Sequence, residues 1–189
     1  MARIVAIWDA KIYQIKITLR EVRPPLWRRV LVPGSFSLGK LHKVIQAAMG
    51  WYGGHLHQFV IGEDCYGVPH PDYRNPMIDQ RRYTLQQVAG REKARFIYEY
   101  DFGDGWEHDI LVEKILAPEE GVRYPVCVKG KRACPPEDVG GPWGYAHFLE
   151  AMRDPKHEEH ESFIEWIGRE FDPEAFDLDD ANYEMKKIR

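Results

Sequence analysis

The densest group of reactive side chains in the sequence lies in residues 98–109, where five acids, one histidine and four aromatic residues surround a Gly-Asp-Gly turn. Strand-forming residues precede and follow this turn, so the pattern predicts a β-hairpin. The side chains expected near its tip are Asp101, Asp104, Trp106, Glu107 and His108. Carboxylates crowded on a tight turn are costly at neutral pH unless a cation binds them. The hairpin tip is therefore the first candidate for a functional site.

A second acidic segment follows Cys134, where two prolines, Glu137, Asp138 and then Gly140 and Gly141 occur within seven residues. Prolines restrict the backbone, so such a loop can hold two carboxylates at a fixed point. We expect these two acids to extend the polar site of the hairpin tip.

Histidines add nitrogen donors to this set of oxygen donors. His55 and His57 are two residues apart, so on a strand they would share a face and could reach one ion. The candidate metal ligands are His55, His57, His108 and Asp104, and such a mixed set suits Mg²⁺, Mn²⁺ or Zn²⁺. The alternative is structural: histidines at a strand start form hydrogen bonds, and Asp-Gly turns satisfy their own backbone groups.

Motifs of the common enzyme classes are absent from the sequence. There is no P-loop, no dinucleotide-binding glycine pattern, no HExxH and no GxSxG. Two hypotheses about function therefore remain. The first is a non-enzymatic binding module with an acidic and aromatic site. The second is a metal-dependent hydrolase or nuclease, and the residues it would use are Asp101, Asp104, Glu107, His108 and Asp138.

Charge is distributed unevenly along the chain. The net charge is −4, but residues 1–50 contain nine Lys and Arg against two acids. Within this basic part, Trp27 lies beside Arg28 and Arg29, a combination that can stack on a nucleobase or contact an acidic partner. The alternative is that the two halves of the chain attract each other within the fold. Nucleic acid or another protein is the partner that this surface would bind.

Hydrophobic periodicity predicts an α+β fold. Residues 12–20 alternate as a half-buried strand, and residues 26–32, 57–61, 94–101 and 105–115 predict four more strands. Residues 38–49 follow a helical period between a Ser37 N-cap and a Gly50 stop. Residues 62–82 have the Gly, Pro and Asp content of a long loop. Further helices are expected at about 84–89, 145–152 and 157–169.

These elements predict one domain over residues 1–189, with its core at about 10–185. We expect a mixed, mostly antiparallel sheet of about five strands, an amphipathic helix packed on it, and C-terminal helices covering an edge. With 44% hydrophobic and 30% charged residues, the composition is that of an ordinary globular protein. Neither a membrane span nor a signal peptide is predicted, so we expect a cytoplasmic location. Three cysteines, Cys65, Cys127 and Cys134, fit reduced thiols.

Several motifs, in order along the chain, resemble one known family. They are PLWRR at 25–29, LxxLHxxIQxxMGW at 38–51, HLHxF at 55–59, YDFGDxWxH at 100–108 and PPEDxGG at 135–141. Together they are similar to the plasmid pRiA4b ORF-3-like family, and the similarity extends over about residues 10–185. Members of this family also occur as passenger proteins, labelled TnpR, of insertion elements.

The resemblance implies a single α+β domain and an accessory protein of a mobile element, and it brings no established activity or catalytic residues. The label TnpR would imply a resolvase, which the residues do not support. No serine nucleophile with surrounding arginines lies near the first strand, and Tyr183 lacks the Arg-His-Arg set of a tyrosine recombinase. A non-enzymatic, mobile-element-associated binding module is the prediction that results, with a divalent metal as the candidate cofactor.

Overall fold

The computed structural model describes residues 11–70 and 77–188, which form one large sheet with helices. Its eight strands are β1 (Ile12–Leu19), β2 (Trp27–Pro33), β3 (His57–Ile61), β4 (Asp64–Gly67), β5 (Ile78–Asp79), β6 (Arg95–Tyr100), β7 (Trp106–Leu116) and β8 (Val126–Lys131). They lie in the order β5-β4-β3-β6-β7-β1-β2-β8. Every pair is antiparallel except β4 with β5, which is parallel.

The sheet is larger than the five strands that the sequence predicted. The five predicted strands are present, but β4 and β5 lie in the segment predicted as a loop over 62–82, of which residues 71–76 are outside the described part of the chain. The third additional strand, β8, follows directly after Pro125 and pairs with β2. All three have at most six residues, so they are too short to show a clear alternation, and pairing with a neighbour defines them.

Five α-helices occur in the described residues: α1 (Leu38–Met49), α2 (Leu85–Val88), α3 (Gly141–Arg153), α4 (His160–Ile167) and α5 (Leu178–Met185). For α1 the predicted ends are confirmed, because the Ser37 hydroxyl accepts from the amide of Lys40 and Gly50 adopts a left-handed φ of 87°. Helix α3 begins at Gly141, four residues before its predicted start at residue 145. Helix α4 is shorter than predicted, and α5 was not predicted.

One face of the sheet carries the hydrophobic core. In β1 the apolar residues Tyr13, Ile15, Ile17 and Leu19 are buried, as their alternation predicted, and they share one cluster with the apolar stripe of α1. The described residues therefore form a single α+β domain. The opposite face of the sheet is mostly polar and carries the ion pairs Arg20–Glu107 and Arg29–Glu113.

Candidate functional site

The turn between β6 and β7 is built around Asp101, which has a left-handed φ of 57°. Its Oδ1 accepts hydrogen bonds from the amides of Gly103 (3.0 Å) and Asp104 (3.4 Å). This is the turn-stabilising role that aspartate commonly has. Because Oδ1 serves the turn, Oδ2 is the oxygen that points to other partners.

Asp101 meets two residues from other loops. His55, between α1 and β3, places Nδ1 3.5 Å from Oδ2 of Asp101 and Nε2 3.3 Å from Oδ1 of Asp138. One donor atom from each of these three residues lies within 4.8 Å of the other two. We call these residues the His55 cluster. It is half-buried, except that the Asp138 side chain is 72% exposed and therefore free to reorient.

Two contacts fix the loop that carries Asp138 onto the hairpin turn. The amide of Gly140 donates to Oδ2 of Asp104 at 3.2 Å. Gly141 then approaches so closely that a Cβ atom there would lie 2.3 Å from the Asp104 carbonyl oxygen. Asp104 thus positions the cluster from outside it and is not one of its three members.

A second set of contacts joins the same loop to residues 51–55. Glu137 accepts hydrogen bonds from the Tyr100 hydroxyl (2.6 Å) and from the Tyr52 amide (3.2 Å), and the indole of Trp51 donates to the Pro135 carbonyl (3.0 Å). Burial, with a smaller effect of Glu137, raises the pKa of Tyr100, so its hydroxyl remains a donor. Three loops are therefore held together independently of any ion.

The remaining candidate residues of the hairpin, Trp106, Glu107 and His108, lie on β7 and are not part of the His55 cluster. Their side chains alternate between the two faces of the sheet. Glu107 lies on the polar face and pairs with Arg20. Trp106 and His108 point into the core and are 1% and 0% exposed. The Nδ1 of His108 donates to the Tyr98 carbonyl at 3.1 Å, and its Nε2 has no partner among the described residues. Burial lowers the pKa of His108 to about 4, so the ring is neutral at physiological pH.

His57 does not share a site with His55, because β3 begins only at His57 and the strand geometry assumed for the pair does not apply. Its ring stacks on His42 with centroids 3.5 Å apart, and its Nε2 lies 3.0 Å from Oε1 of Gln80. Burial and the neighbouring His57 lower the pKa of His42 to about 3. The His42–His57 pair is therefore neutral, hydrogen-bonded and partly buried.

The surface predicted from Trp27, Arg28 and Arg29 is not formed as expected. Arg28 is 1% exposed and lies in the core, which corrects its assignment to a surface. Arg29 is on the polar face of the sheet, where its Nη2 donates to Glu113 at 2.8 Å and its guanidinium lies 5.3 Å from the Trp27 ring. The charge of Arg29 is thus already matched.

The three cysteines are free thiols, as predicted. Among the described residues, no helix has both the length and the apolar content that crossing a bilayer requires.

Comparison with known proteins identifies the family. The family described as plasmid pRiA4b ORF-3-like protein matches residues 11–180. An uncharacterised protein, y4hQ, of Sinorhizobium fredii (strain NBRC 101917 / NGR234) is 42% identical over 175 residues, which are 92% of this chain and 90% of that protein. The crystal structure of MM3350, a protein of unknown function from Methanosarcina mazei Go1, is similar with a TM-score of 0.82 and 39% identity, over 90% of this chain and 97% of that one. The chain therefore belongs to the plasmid pRiA4b ORF-3-like family, as the resemblance implied.

Proposed function

We propose that this member of the plasmid pRiA4b ORF-3-like family is a binding module whose His55 cluster takes one divalent metal ion. The observation that supports the proposal is the convergence of His55, Asp101 and Asp138 from three loops to within 4.8 Å. These residues are far apart in sequence, and each belongs to a segment that other contacts hold in place. A preorganised set of donors avoids the entropy cost of assembling them around the ion.

The donor chemistry favours a first-row transition ion. One imidazole nitrogen and two carboxylates form a mixed set that suits Mn²⁺ or Zn²⁺ better than the all-oxygen shell that Mg²⁺ and Ca²⁺ prefer. His55 lies between the two carboxylates, so a bound ion would take one ring nitrogen and require the exposed Asp138 side chain to turn toward it. Asp101 is the most constrained ligand, because its other oxygen is bonded to the turn.

A binding role is favoured over the hydrolase alternative by the positions of the predicted catalytic residues. His108, one of the residues that the hydrolase would use, is fully buried and neutral, and Glu107 lies on the other face of β7 in an ion pair with Arg20. A general base must come within hydrogen-bond reach of the proton it abstracts. We therefore expect no hydrolysis of bis(p-nitrophenyl) phosphate by the Mn²⁺- or Zn²⁺-loaded protein.

Calorimetric titration of metal-stripped protein with MnCl₂ and ZnCl₂ tests the proposal. We expect one equivalent to bind, and His55→Ala and Asp101→Asn to weaken binding by more than about tenfold, since even outer-shell partners of a metal contribute that much. Asp101→Asn keeps the turn, because an amide oxygen can also accept from Gly103. Glu107→Gln, in the same hairpin but outside the cluster, is the matched control and should bind normally. Equal affinity in wild type and His55→Ala would contradict the proposal.

An accessory role in a mobile element and a cytoplasmic location remain predictions from the resemblance and the composition. A nucleic-acid or protein partner remains part of the first hypothesis, but at the predicted surface Arg28 is buried and Arg29 is paired with Glu113.

A further inference from the structure

A large cavity lies on the side of the molecule where α1 ends. Its walls are the C-terminal end of α1, the loop of residues 133–138, and residues 166–181, and its volume is about 790 Å³. This is within the range of small-molecule binding sites, about 300–1,000 Å³. Asp138 of the His55 cluster is at its edge, but the other cluster residues do not line it.

The floor of the cavity is apolar except for one cation. Its buried residues are Arg28, Ala48, Met49, Trp51, Pro135 and Ala181. Arg28 is 1% exposed, so its guanidinium is almost completely removed from bulk water. A buried charge is costly unless it is paired.

The hydrogen bonds of Arg28 are incomplete. A guanidinium has five N–H groups, and three of them donate to the carbonyls of Ala48, Trp27 and Lys131 at 2.8–3.0 Å. The Phe176 ring covers one face at 4.0 Å. Nη2 has no acceptor in the part of the chain that the structure describes, although it has two N–H groups to donate.

No carboxylate within the described ranges forms an ion pair with Arg28. The nearby thiols of Cys127 and Cys134 do not supply a negative charge either, because burial raises the pKa of both. The preferred partner of a desolvated guanidinium is a carboxylate, and a carboxylate oxygen can accept a charge-assisted hydrogen bond from Nη2.

The mouth of the cavity is negatively charged, whereas Arg28 on the floor is positively charged. Its exposed acids are Asp138, Glu170, Asp172, Asp177 and Asp180, and Arg169 is the one exposed base among the described lining residues. Exposed aromatic rings of Tyr52 and Trp166 accompany these acids. Acids and aromatic faces together attract a cationic group.

From this arrangement we infer that the cavity binds a small zwitterion in which an apolar segment separates a carboxylate from a cationic group. The carboxylate pairs with Arg28 on the floor, the apolar segment packs against Trp51 and Phe176, and the cationic group lies among the acids of the mouth. A ligand with only a carboxylate would have to pass a negatively charged entrance. A ligand with only a cationic group would leave Arg28 unpaired.

Three matched probes test this inference: 6-aminohexanoate, hexanoate and hexylamine, each titrated to millimolar concentration against ¹⁵N-labelled protein and followed by NMR. We expect 6-aminohexanoate to shift the amide signals of residues 48–52, 133, 134, 137 and 175–181. It should bind at least about tenfold more tightly than either singly charged probe, since charge-assisted hydrogen bonds contribute strongly when desolvated. Equal binding of the three probes, or no shift in these segments, would overturn the inference.

Two variants locate the binding. Arg28→Gln should abolish the preference for a carboxylate, and thermal unfolding shows whether this buried substitution folds. If Arg28→Gln does not fold, Ala175→Trp still tests where the probe binds. Ala175 is an exposed residue of the mouth, and a large ring there closes the cavity. Retained binding of 6-aminohexanoate in folded Ala175→Trp would contradict the assignment. His55→Ala should bind the probe normally, so this test and the metal titration can fail separately.

Discussion

The contact between Gly141 and the hairpin turn offers a sharp test of how the His55 cluster is assembled. Gly141 has a φ of +70°, and a Cβ atom there would lie 2.3 Å from the carbonyl oxygen of Asp104. Its neighbour Gly140 has a φ of +91°, but the nearest atom to its added Cβ is the Gly144 Cα at 3.6 Å, an ordinary contact. Alanine therefore strains the backbone at both positions and creates a clash only at Gly141.

The expected magnitudes follow from these two distances. A non-glycine residue in the left-handed region costs about 1–2 kcal/mol, so Gly140→Ala should lower the free energy of unfolding by that amount. Gly141→Ala adds overpacking against a backbone atom, about 1–3 kcal/mol more, which gives a total of about 2–5 kcal/mol. Because the clash separates the loop of Asp138 from the turn of Asp101, this variant should also weaken metal binding.

Urea denaturation followed by circular dichroism measures the stability of both variants, and calorimetry with MnCl₂ measures their affinity. The reasoning would be refuted if Gly140→Ala and Gly141→Ala lost the same stability and the same affinity. Loss of metal binding in Gly140→Ala alone would also refute it, because that substitution leaves room for the Cβ atom.

Two further predictions concern the histidines of the interior and the polar face of the sheet. The folded-state pKa values of His42 and His108, about 3 and about 4, lie below the ordinary value of 6.5. Below pH 6.5 the unfolded state takes up protons on these histidines and the folded state does not. The free energy of unfolding is therefore unaffected above pH 6.5 and decreases as the pH falls toward 4, by about 1.4 kcal/mol per pH unit for each histidine. Urea denaturation at several pH values between 7 and 4 checks this. The free energy of unfolding should fall less steeply with decreasing pH in His108→Gln than in the wild type, and an equal dependence on pH would contradict the prediction. Arg29→Ala should cost about 0.5–1 kcal/mol through its half-buried ion pair with Glu113, and it should leave the affinity for a DNA duplex at low salt unchanged in a fluorescence anisotropy titration. A clear loss of DNA affinity would instead favour the nucleic-acid surface.

The burial of Arg28 and His108 could have been predicted from strand periodicity. Arg28 precedes Val30 and Val32 by two and four residues, and His108 precedes Ile110 and Val112 in the same way. Residues two apart share a face of a strand, so both polar residues were on the apolar face. The same pleat places Glu107 on the other face. Because of this alternation, the polar residues of the hairpin tip do not form one cluster.

The His55 cluster has no comparable signature in the sequence. Asp101 was recognised because it lies in a dense acidic turn, and Asp138 because it lies in a rigid loop. The spacing of their common partner His55 predicts instead a pair with His57, its neighbour in sequence. The strand pairing of β3 with β6 places residue 57 opposite Tyr100, and this pairing brings His55 next to Asp101.

Local patterns in the sequence predicted the alternating strands β1 and β7, and helix α1 with its cap and its glycine stop. These follow from periodicity and from backbone preferences within a few residues. Only the tertiary structure decided which loops meet, which short segments become strands, and whether a buried charged side chain meets an opposite charge. Such outcomes depend on contacts between residues far apart in the chain, and no local pattern encodes the distance between them.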